Sequence, residues 1–355
     1  MLFLKKRKID GEEDYEDVSA KKPINDSDFK KLKYEKKRKK DLPKPWGRRE
    51  RILVLFLIVM TTGISGILSL SARAWKLPGF PELKVPSLKL PYFAEKTIVL
   101  EGEESLVDRR KVRDVILKFK EASKNLSGVY GLYVVRLGDG SAYGVSENET
   151  FQAASLIKLP VMVAMYKEVE GGNLNLDTKY TLKLSDKKVG SGSLYAKSVG
   201  YTLTYRDLIR LMGKQSDNTA FAIVRNVLGD EKINNIISET GMANTSLEDN
   251  ETTPYDIGVF LENLWRGNVV SEESKDEIIS LLTDTIYEDH LAAGIPEGIP
   301  IAHKFGREVH VVNDAGIVFS SKPFALVIMS KGVVEKEADK VFPEIAHMVY
   351  EIESE

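Results

Sequence analysis

Phe151–Glu170 reads FQAASLIKLPVMVAMYKEVE, and the reading of this stretch decides the rest. Ser155 and Lys158 stand three residues apart at the head of an apolar run and are the only polar residues between Gln152 and Tyr166. On a helix, residues at this spacing share a face, with Cβ atoms about 5–6 Å apart. The helix N-terminus favours developing negative charge. A lysine buried beside the serine would lose basicity through desolvation and could then accept its proton. These are the parts of an activated serine nucleophile. Ser-x-x-Lys also occurs on solvated helix faces. Here the helix is apolar nearly all round, and an unpaired lysine inside such a helix is costly unless it is used. Pro160, early in the helix, is expected to remove one hydrogen bond and bend the axis slightly. Gly171-Gly172 ends the run.

Working outward towards the C-terminus, the chain turns mainly helical. Thr204–Lys214 opens with Thr204 as N-cap and Asp207 three residues on, close to a capping box. Asp217–Leu228, Glu231–Thr240, Tyr255–Arg266 and Glu273–Thr283 read as further helices. Strands follow at Pro300–Phe305, Val309–Phe319 and Phe324–Met329, then a last helix over Ala338–Glu353. Towards the N-terminus, Gly128–Arg136 reads as a strand, Asp139-Gly140 as a hairpin turn and Ser141–Val145 as the return. A helix over Ser105–Ser123 precedes them. Outer strands and terminal helices around a helical middle imply an α/β (α+β) fold: an antiparallel sheet flanked by helices, with a helical subdomain.

Two further motifs lie in this domain. Ser216-Asp217-Asn218 sits at a loop-to-helix transition, where all three residue types are also good N-caps. His303-Lys304-Phe305-Gly306 closes a strand, where a lysine is ordinarily solvated.

The order SLIK, SDN, KFG resembles the Ser-x-x-Lys, Ser-Asp-Asn and Lys-Thr-Gly set of class A β-lactamases and penicillin-binding proteins. FQAASLIKLPVMVAM, LTYRDLIRLMGKQSDNTAFAIV and VNDAGIVFSSKPFALVIMSKG are similar to segments of the class A fold, and the resemblance covers residues 105–355. It implies Ser155 as the acylated nucleophile, Lys158 as its base, and Ser216 as the relay to the leaving nitrogen. It also implies that Asn218 holds the substrate amide and that Lys304 steadies Ser216 and attracts the substrate carboxylate. The implied oxyanion hole uses the backbone N–H groups of Ser155 and Arg307, just past Gly306. Each such donor contributes roughly 3 kcal/mol in comparable sites. Asp217 is implied to be structural.

Two departures bear on the reaction. Phe305 replaces the Thr or Ser whose hydroxyl would donate to the substrate carboxylate. Thr240–Pro254 is too short for the family's omega loop and lacks its Glu-x-x-Leu-Asn motif, whose glutamate activates the deacylating water. Glu248, Asp249 and Glu251 are candidate bases by composition, with a solvated loop the simpler reading. The expected function is therefore a serine hydrolase acylated by a β-lactam or a D-alanyl-peptide-like amide or ester. The alternative is a cell-wall peptide recognition module without efficient deacylation. The expected partner is a small molecule or a peptidoglycan peptide, taken up by a monomeric catalytic domain.

Composition narrows the field. The chain has 355 residues, with 51 basic and 53 acidic side chains, so no overall excess of charge calls for nucleic acid. Cysteine is absent, which excludes disulfides and thiol chemistry. His290, His303, His310 and His347 have no metal-ligand spacing, so neither metal nor other cofactor is expected.

The charge is unevenly spread. Residues 1–50 are charged and poor in apolar side chains, with a basic run over Lys30–Lys40, and read as a disordered tail. Ile52–Ser71 has no charged residue and matches the thickness of a bilayer, so residues 51–72 read as a transmembrane helix. Trp46 and Trp75 flank it. The basic side is the N-terminal one, so the tail is expected in the cytoplasm, against anionic headgroups, and the domain outside. A cleaved signal peptide is the competing reading, with Leu70-Ser71-Ala72 a weak site. Residues 73–100, with Pro78, Pro81, Pro86 and Pro91, read as a semi-rigid stalk, and residues 101–355 as the hydrolase domain.

Overall fold

The computed structural model describes Leu106–Ser354 and, before them, Val54, Leu57, Ile58, Met60 and Thr61. The chain divides into two units, Met1–Leu88 and Lys89–Glu355. In the first, the five described residues are helical, and the Thr61 hydroxyl donates to the Ile58 carbonyl at 3.0 Å. Among the described residues no helix is long and apolar enough to cross a membrane. The tail, the stalk and most of the expected span at Ile52–Ser71 lie outside the described residues.

The second unit begins with α1 (Leu106–Ser123) and the hairpin of β1 (Val129–Arg136) and β2 (Ala142–Val145). Its turn closes as Asp139 accepts from the Ser141 backbone N–H and hydroxyl, at 2.8 and 2.7 Å. Next come the two-residue strand β3 (Phe151–Gln152), a 3-10 turn over Ala154–Ile157, and α2 (Lys158–Glu170). The helical middle contains β4 (Lys179–Thr181) and β5 (Thr202–Thr204), then α3 (Tyr205–Gln215), α4 (Asn218–Leu228) and α5 (Asp230–Glu239). After β6 (Glu251–Thr252) come α6 (Pro254–Trp265), α7 (Glu272–Leu282) and the single turn α8 (Leu291–Gly294). The chain closes with β7 (Ile301–Glu308), β8 (Val311–Val318), β9 (Phe324–Lys331) and α9 (Glu335–Ser354).

Five strands form one antiparallel sheet in the order β2-β1-β9-β8-β7. Side chains alternate across it, as strand geometry requires. Leu132 and Val134 of β1, with Leu326 and Ile328 of β9, face the terminal helices α1 and α9. Tyr133 and Val135, with Val327 and Met329, face the helical middle. The sheet therefore lies between two apolar layers. One pairs it with α1, α8 and α9, the other with α2 to α7. Arg136 and Tyr143 both donate to Glu353, which fastens the end of α9 to the first hairpin.

Every long element expected within residues 105–355 is present, within a few residues at each end. The capping box of α3 forms as read: Thr204 accepts from Asp207 N, and Asp207 from Thr204 N. Two details differ. The helix expected from Ser155 starts as a 3-10 turn and becomes α-helical only at Lys158. Pro160 consequently lies in the first α-helical turn, where its missing N–H deprives no carbonyl of a partner. The short strand pairs β3–β6 and β4–β5 were not read from the sequence. They join two- and three-residue segments far apart in the chain, a length at which alternation carries no signal.

Candidate functional site

The Ser155 turn is held from both sides. Ala153 N donates to Asn250 O at 2.7 Å, and the Asn313 side chain donates to the carbonyls of Gln152 and Ala153. Ala154 is forced to φ 49°, a strained value for an alanine, immediately before Ser155. β7 runs past on the edge of the sheet. A Cβ built on Gly306 would lie 2.9 Å from the Ser155 nitrogen, so only glycine lets the strand come this close.

Lys158 is buried under the turn, 2 % exposed. Its Nζ lies 3.0 Å from Ser155 Oγ, 3.1 Å from Ser216 Oγ, 2.6 Å from Ser216 O and 2.7 Å from Asn218 Oδ1. The Phe221 ring closes another side, its centroid 5.6 Å away. Burial pulls the Lys158 pKa down to about 8, although the negative charges of Asp217 and Glu308 work against the shift. At pH 7 roughly a tenth of the amine is thus unprotonated, far more than for an ordinary lysine, and has a lone pair to offer Ser155.

Ser216 reaches Lys158 from the end of α3, where it sits in the left-handed region at φ 52°. Asp217 caps α4 by accepting from Ala220 N at 2.8 Å, and it accepts from Leu194 N at 2.8 Å as well. Its structural reading therefore agrees with its contacts. Asn218 donates from its backbone to Ser191 O and from its side chain to Val189 O. The chain over residues 189–194 is drawn tightly onto this turn. A Cβ on Gly192 would fall 2.1 Å from Asp217 Oδ2, and one on Gly190 2.4 Å from the Asn218 side-chain nitrogen.

Lys304 is buried at 1 % exposure and donates to its neighbour's carbonyl, Phe305 O, at 3.0 Å. It makes no hydrogen bond to Ser216, so the expected direct support of that serine is not formed here. Burial, and then the nearby charge of Lys158, hold the Lys304 pKa well below its ordinary value. Phe305 points to the opposite face of the sheet, stacked on Tyr287 and His290 with centroids at 5.2 and 4.3 Å. The Arg307 side chain turns away to Asp339 and Glu335, leaving only its backbone beside the turn. Behind the strand, His303 donates to Asp314 at 2.9 Å. Burial alone would lower its pKa, but Asp314 and Glu288 raise it to about 9, so the ring is charged.

A cavity of about 540 Å³ opens over Ser155 and Lys158, lined also by Asn218, Phe221, Glu248 and Glu308. Of the three loop carboxylates, only Glu248 lines it. Asp249 accepts from the Ser246 hydroxyl at 2.8 Å, and Glu251 is exposed on β6, paired with Gln152. Glu308 was not singled out from the sequence. Its signal was the alternation of β7, which puts Lys304, Gly306 and Glu308 on one face.

A model of the beta-lactamase enzyme family matches residues 109–352. The chain belongs to that family. The match takes in every site residue described above and all but the edges of the second unit. Among curated members, β-lactamase CTX-M-25 of Escherichia coli is 22% identical over 237 residues, 62% of this chain and 81% of that protein. Among solved members of the fold, a β-lactamase from Sphaerobacter thermophilus superposes with a TM-score of 0.63 at 25% identity. It covers 68% of this chain and 96% of its own. A mutant of PBP-A, crystallised as an acyl-enzyme complex with penicillin G, gives 0.64 at 26% identity, covering 71% and 98%. These neighbours consist almost wholly of this one domain, and in them it stands alone; here residues 109–352 correspond to it. The fold is the β-lactamase-like α/β arrangement of antiparallel sheet and helices.

The grip of residues 189–194 on the Ser216–Asn218 turn can be measured. Gly192→Ala puts a methyl onto Asp217 at a φ of +96°, and should lower unfolding stability by roughly 2 kcal/mol or more. Gly200→Ala, at φ +90° with open space around it, isolates the cost of φ alone. Equal losses in urea unfolding would show that the close approach has no energetic weight.

Proposed function

We propose that this chain is a membrane-anchored serine hydrolase of its family, acylated at Ser155 by a β-lactam or a D-alanyl-peptide-like amide or ester. The observation that carries this reading is the 3.0 Å contact between Ser155 Oγ and the buried Lys158 amine, whose pKa is about 8. In the first step the Lys158 lone pair takes the Ser155 proton while Oγ attacks the substrate carbonyl. Negative charge on the carbonyl oxygen is met by the backbone N–H groups of Ser155 and Arg307. The carbon–nitrogen bond then breaks. The proton held on Lys158 passes through the Ser216 hydroxyl to the leaving nitrogen, and the acyl group remains on Ser155. Asn218 and the strand edge at Gly306 orient the substrate amide, and a substrate carboxylate arriving beside Lys304 favours the charged form of its amine.

Deacylation is the slow half in this reading. The Thr240–Pro254 connection stands where the family's longer omega loop is expected, and Glu248 is its one carboxylate lining the cavity. The acyl-enzyme should therefore persist; a PBP-A mutant of the same fold has been solved as its acyl-enzyme complex with penicillin G. The Phe305 ring, packed behind the sheet, leaves the substrate carboxylate without a hydroxyl donor from this strand.

Residues 89–355 incubated with penicillin G should gain the mass of one intact penicillin, which decays over minutes to hours, and Ser155→Ala should gain nothing. No adduct with any β-lactam or active ester would overturn the enzyme reading in favour of a peptide-recognition module. The acylation rate should rise with pH and level off above about 8, because neutral Lys158 is the base. Glu308→Gln removes a charge that favours the ammonium, so its midpoint should move to lower pH; an unchanged midpoint would place the base elsewhere.

Anchoring rests on the uncharged run Ile52–Ser71 and the basic residues before it. Carbonate-washed membranes should retain the full chain and release a chain lacking residues 52–71. Release of both would remove the anchor from the proposal.

A further inference from the structure

Residues 179–201, from β4 to the start of β5, carry a surface that the proposed reaction does not use. Five of the exposed large apolar side chains are concentrated there: Leu184, Val189, Tyr195, Val199 and Tyr201. Leu184 and Val189 are 74 % and 72 % exposed, close to free in solvent. The same segment holds Lys179, Lys183, Lys187, Lys188 and Lys197, none of them in an ion pair among the described residues. Its one acid, Asp186, is buried and accepts from Lys183 N at 2.8 Å and from the Tyr180 hydroxyl at 2.9 Å. The outward charge is thus entirely positive.

Contacts within the segment tie several of these side chains together. Lys183 lies over Tyr180, Lys187 over Tyr195 and Lys197 over Tyr201, at 5.6, 5.5 and 5.3 Å from the ring centroids. Leu182 exchanges backbone hydrogen bonds with Gly200 and Tyr201, which brings the two ends of the excursion together. The face meets the cavity mouth through Ser185 and Lys188.

From this arrangement we infer that residues 179–201 dock on the surface of an anionic lipid bilayer. Lysines beside such a surface each strengthen binding roughly fivefold, and the effect is screened by salt. Tyrosines suit the headgroup level, and protruding aliphatic side chains reach the acyl boundary. A soluble polyanion would satisfy the lysines but leave Leu184, Val189 and Val199 without a role. A nucleic acid would need open ring faces for stacking, and three of these rings carry an ammonium on one face. A second copy of the same face would be repelled by its charge. Docking of this kind would hold the cavity mouth against the membrane whether or not Ser155 is acylated, so the inference stands apart from the proposed reaction.

The test uses residues 89–355, which lack the apolar run at 52–71, with sedimentation of vesicles of phosphatidylcholine alone or with 30 mol% phosphatidylglycerol. Binding to the anionic vesicles should be at least tenfold tighter than to the neutral ones and should weaken as salt is raised. Lys183→Gln/Lys197→Gln should weaken it at least tenfold, and Leu184→Ser/Val189→Ser at least threefold. Lys118→Gln/Lys124→Gln, on the remote helix α1 and just past its end, should leave it unchanged, and thermal melts should confirm that all variants are folded. Three outcomes would overturn the inference: no binding to anionic vesicles, equal loss in the α1 variant, or competition by soluble polyphosphate with no dependence on Leu184 and Val189. The last would assign the face to a soluble polyanion instead.

Discussion

The site is built around the removal of one amine from water. Lys158 has no carboxylate in contact with it; its neighbours are two serine hydroxyls, a backbone carbonyl and an amide oxygen. A lysine so placed is expensive to keep protonated, and the fold bears that cost through the apolar helix α2 and the sheet behind it. Much of the surrounding geometry serves these contacts. Ala154 is strained so that Ser155 faces the amine, and Ser216 is strained so that both its carbonyl and its hydroxyl do. Gly306 lets the sheet edge close over the turn. A single buried, carboxylate-free lysine thus ties together the helical middle, the turn and the sheet.

The features legible in the sequence were those written in local chemistry or long periods. The helix caps at Thr204 and Asp217 were readable because the residue types themselves make the bonds. The strands β7 to β9 were readable because each has eight residues. Ser155, Lys158, Ser216 and Asn218 were found through spacing and order, and the structure brings the other three within hydrogen-bonding distance of the Lys158 amine.

What could not be read depended on distant partners. The direction of the Phe305 ring is set by Tyr287 and His290, neither of which is near it in sequence. Lys304 was expected to reach Ser216, but its position on the buried strand leaves its own backbone neighbour as the acceptor. Composition made Glu248, Asp249 and Glu251 equivalent. They are separated by the bridge between Ser246 and Glu251, which turns one to the cavity, one to a serine and one to solvent.

The glycines at 190 and 192 divide the excursion into parts with different freedom to change. Their neighbours Ser191 and Leu194 are stitched to the Ser216–Asn218 turn, and no side chain fits between. On either side, residues 183–189 and 195–201 meet mostly solvent. Mutational drift can therefore rewrite what this face presents to the outside, residue by residue, while the two glycines keep its root in register with the lysine. The family's internal chemistry and this chain's external surface are in that sense separately heritable.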